Sequence, residues 1–147
     1  SGYDLDMAVV SSNPAIAYVE TICADYPRLC TNSVKYVRAQ DATGSVWNSP
    51  VSVWSLINTD TVVQARALLI ANGNPAVVLG KDYTGYPGTR SIVFVRALDA
   101  TGNSWGSPVD VVANGSFSAA QIHETGDVLL VSNVTKGNEL SALTKYF

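Results

Sequence analysis

The residues able to do acid–base or nucleophilic chemistry are few. The single histidine, His123, is followed by Glu124. With a serine and an aspartate, His123 would write a hydrolytic triad, in which the imidazole takes the hydroxyl proton of the nucleophile. No G-x-S-x-G elbow supports that reading. Glycoside hydrolysis needs two carboxylates flanking the scissile bond. Glu20, Glu124 and Glu139 are present, but nothing in the spacing pairs them. The phosphate-cradling patterns GxGxxG and GxxxxGK[ST] are absent, so nucleotide binding has no support. The reading leans away from an enzyme: no catalytic set, no cofactor and no metal site is expected.

Two cysteines, Cys23 and Cys30, stand in TICADYPRLCT with six residues between them. A structural zinc site takes four ligands, and one histidine does not supply the rest. The spacing is not a redox CxxC. A disulfide closing a local loop is expected, which implies an oxidising, extracellular compartment. The plainer alternative is two reduced thiols buried as small hydrophobes. No signal peptide precedes Ser1, so a secreted chain would already be processed. Asn114-Gly115-Ser116 and Asn133-Val134-Thr135 fit the N-glycosylation pattern, which matters in a eukaryotic secretory host.

The chain repeats itself. YVRAQDATGSVWNSPVSV at 36–53 matches FVRALDATGNSWGSPVDV at 94–111, displaced by 58 residues. Arg38 pairs with Arg96, Asp41 with Asp99, Gly44 with Gly102 and Trp47 with Trp105. Upstream, SSNPAIAYV at 11–19 matches NGNPAVVLG at 72–80, displaced by 61. A degenerate third copy follows, with SALTK at 141–145 laid on VKYVR at 34–38. One domain over 1–147 is expected, with repeats at 3–60 and 61–113 and a partial one at 114–147.

Each repeat reads as four short strands. In the second, ALLIA, PAVVL, SIVFVRA and PVDVV are separated by the Asn72-Gly73-Asn74 turn, the loop KDYTGYPGTR and a polar turn from Asp99 to Gly106. Strands apolar on both faces belong between layers. The fold class is therefore all-β. Radial packing of four-stranded sheets, a β-propeller of about three blades per chain, fits best. A β-sandwich is the runner-up, and it leaves the repeat period unexplained.

These residues resemble the repeats of secreted bacterial β-propeller proteins, of the form NGNPAIAYYD…LKYVRATDANGTTWGTPV. The likeness covers both full repeats and fades over 113–147. The turns from Asp41 to Trp47 and from Asp99 to Trp105 are also similar to the Asp-box of sialidase-type propellers, S-x-D-x-G-x-x-W, with one extra residue. The resemblance implies a propeller fold and a secreted context. It implies no one activity, because propellers host lectins, enzymes and scaffolds alike. A sialidase-like site would need an arginine cluster with Tyr and Glu, which the turn variant alone does not bring.

Features present in every repeat read as structural. In each turn Asp accepts amides, Gly takes positive φ and Trp covers the hairpin. A calcium ion would need more than one carboxylate per turn. Arg38 and Arg96 are expected in structural ion pairs with a nearby Asp, or else on an anionic ligand. The loop between the second and third strands differs most between repeats, and function concentrates in such loops. It offers Tyr26 and Arg28 in one repeat and Tyr83, Tyr86 and Arg90 in the other. Trp54, just after the fourth strand, is added to the set. Aromatic faces cover the C–H side of a pyranose while polar groups bind its hydroxyls.

Composition bounds the partners. The chain has 147 residues, with 14% charged against roughly 25% in an average domain, and a net charge of −3. No basic stripe for nucleic acid and no apolar run long enough to span a membrane is present. The expected function is a secreted, lectin-like glycan-binding module. A structural protein forming a homo-oligomer or filament is the alternative, and a sialidase-type hydrolase the second. A closed propeller takes about four to eight blades, so two chains would close a ring of six as a dimer, while an open strand exchange would build a filament. This chain being a fragment of a longer propeller is the plain alternative.

Overall fold

The computed structural model describes residues 5–24, 29–58, 61–83, 89–113, 115–122, 128–136 and 139–146. Within them β1 (Leu5–Val10), β2 (Asn13–Cys23), β3 (Cys30–Arg38) and β4 (Val51–Asn58) form one four-stranded sheet in chain order. A second is built from β5 (Thr61–Ala71), β6 (Asn74–Tyr83), β7 (Thr89–Arg96) and β8 (Val109–Ala113). A third, three-stranded, contains β9 (Gly115–Ile122), β10 (Val128–Lys136) and β11 (Glu139–Tyr146). Every pairing is antiparallel between strands consecutive in sequence. Among the described residues there is no helix.

Tight hairpins join the first two strands of each four-stranded sheet. At the second of them Asn72 and Gly73 both take positive φ, as a two-residue turn matching strand twist requires. At the first, Ser11 and Ser12 are forced into the same region. The NPA motif has a role beyond the strand. Asn13 Nδ2 donates to the Ala39 carbonyl at 2.9 Å, and Asn74 Nδ2 donates to that of Ala97 at 3.0 Å. The Ala39 and Ala97 amides donate to the carbonyls of Pro14 and Pro75, both at 2.8 Å. Asn and Pro thus lock the hairpin onto the end of the third strand in both repeats.

The first and second sheets pack face to face. Val10, Ala15, Ala17, Val34, Tyr36 and Val53 meet Val63, Ala65, Leu68, Val77, Leu79, Val93 and Val95 in one core. Burying each of the larger side chains contributes about 1.5–3 kcal/mol. On its other side the second sheet buries Ala67, Ala71, Ala76, Val78, Ile92, Phe94 and Val111. There β9 lies against β5, β6 and β7. The second sheet is therefore apolar on both faces because each is covered. Polar contacts fix the stacking: Asp6 accepts the Leu68 amide at 2.7 Å, and Ser11 Oγ donates to the Ala100 carbonyl at 2.8 Å.

Two sequence expectations change here. KDYTGYPGTR is not wholly loop. β6 continues through Tyr83 and β7 begins at Thr89, with Lys81, Asp82 and Tyr83 paired to Ser91, Arg90 and Thr89. Extending a registered ladder satisfies backbone groups that an open loop would leave to water. Trp54 lies inside β4 rather than after it, opposite Val34 and packed on the core. A bulge between Val34 and Lys35 inserts Val53 and sets Trp54 on the inner face; the second sheet has its bulge at Ile92/Val93.

Candidate functional site

The connections gather at two ends. At one end β2 turns into β3, β4 passes into β5, and β6 turns into β7. The last rungs there are Cys23 with Cys30, Cys30 with Asn58, and Tyr83 with Thr89. Cys23 and Cys30 are directly opposite in the ladder and joined by a disulfide, their Cα atoms 4.0 Å apart. Facing positions on two antiparallel strands bring the two Cα atoms within bridging range. The bridge is the expected one, and it fits an extracellular setting.

Of the ligand residues expected from sequence, this end holds Tyr83 and Arg90. Tyr83, at the end of β6, is 40% exposed. Arg90, exposed in β7, faces Asp82 across the ladder with Nε 3.8 Å from a carboxylate oxygen. Lys81 makes a similar exposed contact with Asp110 at 3.2 Å. Such surface pairs contribute little to stability. Tyr26, Arg28, Tyr86, Asn114, His123 and Glu124 lie outside the described residues. Asn133 falls in β10, the middle strand of the third sheet.

A buried polar chain lies beneath this end, and the sequence reading missed it. Thr21 Oγ1 donates to Asn32 Oδ1 at 2.8 Å, and Asn32 Nδ2 donates to the Thr61 carbonyl at 3.1 Å. Asn32 is buried within β3 and ties the first sheet to the start of β5. An asparagine within a strand, where that residue type is depleted, was the available signal.

The opposite end holds the repeated turns. Asp41 accepts the amides of Thr43 at 2.9 Å, Ser45 at 3.1 Å and Val46 at 3.0 Å, together with the Thr43 hydroxyl. Asp99 accepts those of Thr101 at 3.0 Å, Asn103 at 3.2 Å and Ser104 at 2.9 Å, plus the Thr101 and Ser104 hydroxyls. Gly44 and Gly102 have φ of 72° and 80°. Ala39 bridges to Trp47 and Ala97 to Trp105 across the turns. The Thr43 hydroxyl, and then the turn amides, hold the Asp41 carboxyl down at about 2. The Thr101 hydroxyl leads the same effect on Asp99, which lies further below the usual carboxylate range. These carboxylates are occupied by their own turns. Among the described residues no group of three or more His, Cys, Asp or Glu could hold a metal ion.

Arg38 departs from expectation. Its Nε donates to the Val10 carbonyl and its terminal nitrogen to that of Ser11, both at 2.8 Å. Among the described residues it holds the β1–β2 hairpin by backbone carbonyls and pairs with no carboxylate, because that turn aims two carbonyls at the end of β3. Arg96, its repeat partner, is exposed at the end of β7.

No protein-family profile, no curated protein and no solved structure matches this chain. Among the described residues no helix is long and apolar enough to cross a membrane.

Proposed function

We propose that the stacked sheets are successive blades of a β-propeller and that the chain is a secreted, non-enzymatic recognition module whose ligands are glycans. One observation carries the reading: the β2–β3 and β6–β7 hairpins, where the two repeats differ most, open at the same end of packed sheets. One is closed by a disulfide, and the other is flanked by Tyr83, Arg90 and Lys81. A rigid repeated scaffold bearing variable, aromatic and cationic hairpins suits a ligand that is large, polar and partly apolar on one face. The disulfide supports the secreted setting. Screening the chain on a glycan array tests this. Binding of a defined glycan class, weakened at least tenfold by Tyr83→Ala, is expected; binding to no glycan removes the reading.

A second reading, an assembly protein, is favoured by a separate observation. The outward face of the first sheet presents Leu5, Met7 and Val9 to solvent.

A further inference from the structure

We propose that the uncovered face of the first sheet is a self-association surface, occupied by the third sheet of a second copy of this chain. The inference rests on the assembly reading and is independent of glycan binding.

The repeat supplies the argument. Met7 and Ile16 correspond by sequence to Leu68 and Val77. Met7 and Ile16 are direct cross-strand partners, as Leu68 and Val77 are. In the second sheet both residues are buried against the first. In the first sheet Met7 is 58% exposed and its neighbour Val9 67%. One kind of surface is thus covered in one repeat and bare in the other.

The turns show the same asymmetry. Trp105 is half-buried against Tyr36 of the preceding sheet, ring centroids 5.2 Å apart. Its repeat equivalent Trp47 is 37% exposed. A Cβ built on Gly102 would lie 2.5 Å from the Tyr36 ring, whereas one on Gly44 would meet only Pro14 and Trp47 of its own sheet. Face and turn together mark the seat of a preceding sheet.

What fits such a seat is defined by the packing already seen. Each seat takes the inward face of the sheet before it, as the Val34 and Tyr36 face takes the second sheet. Within the chain the first sheet's inward face meets the second, and the second's meets β9. The third sheet is the one with no following sheet among the described residues. By sequence, Leu143 in β11 stands at the Tyr36 position and Ser141 at that of Val34, so the large apolar residue of the seat's partner is kept. Head-to-tail seating of the third sheet on β1 and β2 follows. It yields a two-chain ring when the rotation closes and a filament when it does not.

The test is native mass spectrometry of this 147-residue chain over a concentration series. The chain and a control, Leu98→Glu at an exposed site, are expected at 31 kDa, twice the 15.5 kDa chain mass, or at higher multiples. The double variant Met7→Glu, Val9→Glu is expected at the single-chain mass with unchanged far-UV circular dichroism. A parent chain that stays single at every concentration overturns both the assembly reading and this surface. A double variant that still assembles leaves the assembly reading standing and overturns this surface. Should the double variant fail to fold, chains carrying Trp47→Cys mixed with chains carrying Leu143→Cys decide instead. An interchain disulfide supports the seating, and its absence in an assembled sample overturns it.

Discussion

The ring of Tyr36 in the first sheet meets Trp105 of the second edge-on, at 63° between planes, while its hydroxyl donates to the Thr101 carbonyl at 3.1 Å. Aromatic pairs in this geometry contribute about 0.5–1.5 kcal/mol beyond their buried area. The contact couples the two repeats: the turn Asp99 organises in one sheet becomes the lid over a ring in the other.

Gly102→Ala is expected to destabilise far more than Gly44→Ala. Both replace a glycine at positive φ, which costs about 1–2 kcal/mol. Only at Gly102 does the new methyl also collide with the Tyr36 ring. Urea unfolding should show a loss of ~1 kcal/mol for Gly44→Ala and ~3 kcal/mol or more for Gly102→Ala. Equal losses would mean that the sheets are not stacked through this turn.

Burial, the larger cause, pushes the Tyr36 phenol up to about 12, with Asp99 adding to it against the opposing effect of Arg38. The folded state thus favours the neutral phenol. Its contribution is complete below the unfolded tyrosine value of roughly 10 and is lost as pH rises toward about 12. Tyr36→Phe should cost ~1 kcal/mol at neutral pH through the lost hydrogen bond. It should also flatten the alkaline loss of stability; an unchanged alkaline limb would remove Tyr36 as its source.

The two turn carboxylates give the acid limb the opposite sign. Their folded-state values lie below the ordinary carboxylate range. Their stabilisation is therefore present above pH ~4 and is lost as pH falls, that of Asp41 toward about 2 and that of Asp99 further down. Thermal melts between pH 5 and pH 2 should show a steep loss, reduced in Asp99→Asn and in Asp41→Asn.

Ser12→Gly is expected to stabilise. Ser12 sits at φ 68°, at the position Gly73 fills in the second repeat at 81°. Relieving that strain should raise stability by about 1 kcal/mol, less the greater chain entropy of glycine. A lower melting temperature would contradict the turn geometry.

Reducing Cys23–Cys30 should cost about 2.5 kcal/mol by the chain-entropy estimate for so short a loop. A Tm fall of roughly 5–10 °C without loss of the fold is expected for a domain of this size. Intact mass before and after alkylation of never-reduced protein should show no reactive thiol.

Much of the strand order was readable because it lies in local pattern. The Asn72-Gly73 turn and the doubly apolar SIVFVRA strand rest on residues near one another in sequence, and the 58-residue displacement on direct comparison of two such stretches. What escaped was set by tertiary geometry. Arg38 finds carbonyls of a hairpin 27 and 28 residues away, which charge alone did not reveal. Trp54 turned inward through a bulge that has no residue signature. At the candidate site, the cysteine pairing and the position of Tyr83 and Arg90 near one hairpin were legible. The Thr21–Asn32–Thr61 chain was not, because its acceptor is a backbone carbonyl in the next repeat.

The Cys23–Cys30 bridge spans the last rung of its ladder rather than a point farther along the loop. Strain or insertion among the six enclosed residues is thereby kept from slipping the β2–β3 register, and with it every apolar side chain on which the next sheet rests. The register of this hairpin is therefore held by a covalent bond between its two strands, whatever residues fill the loop that the bond closes.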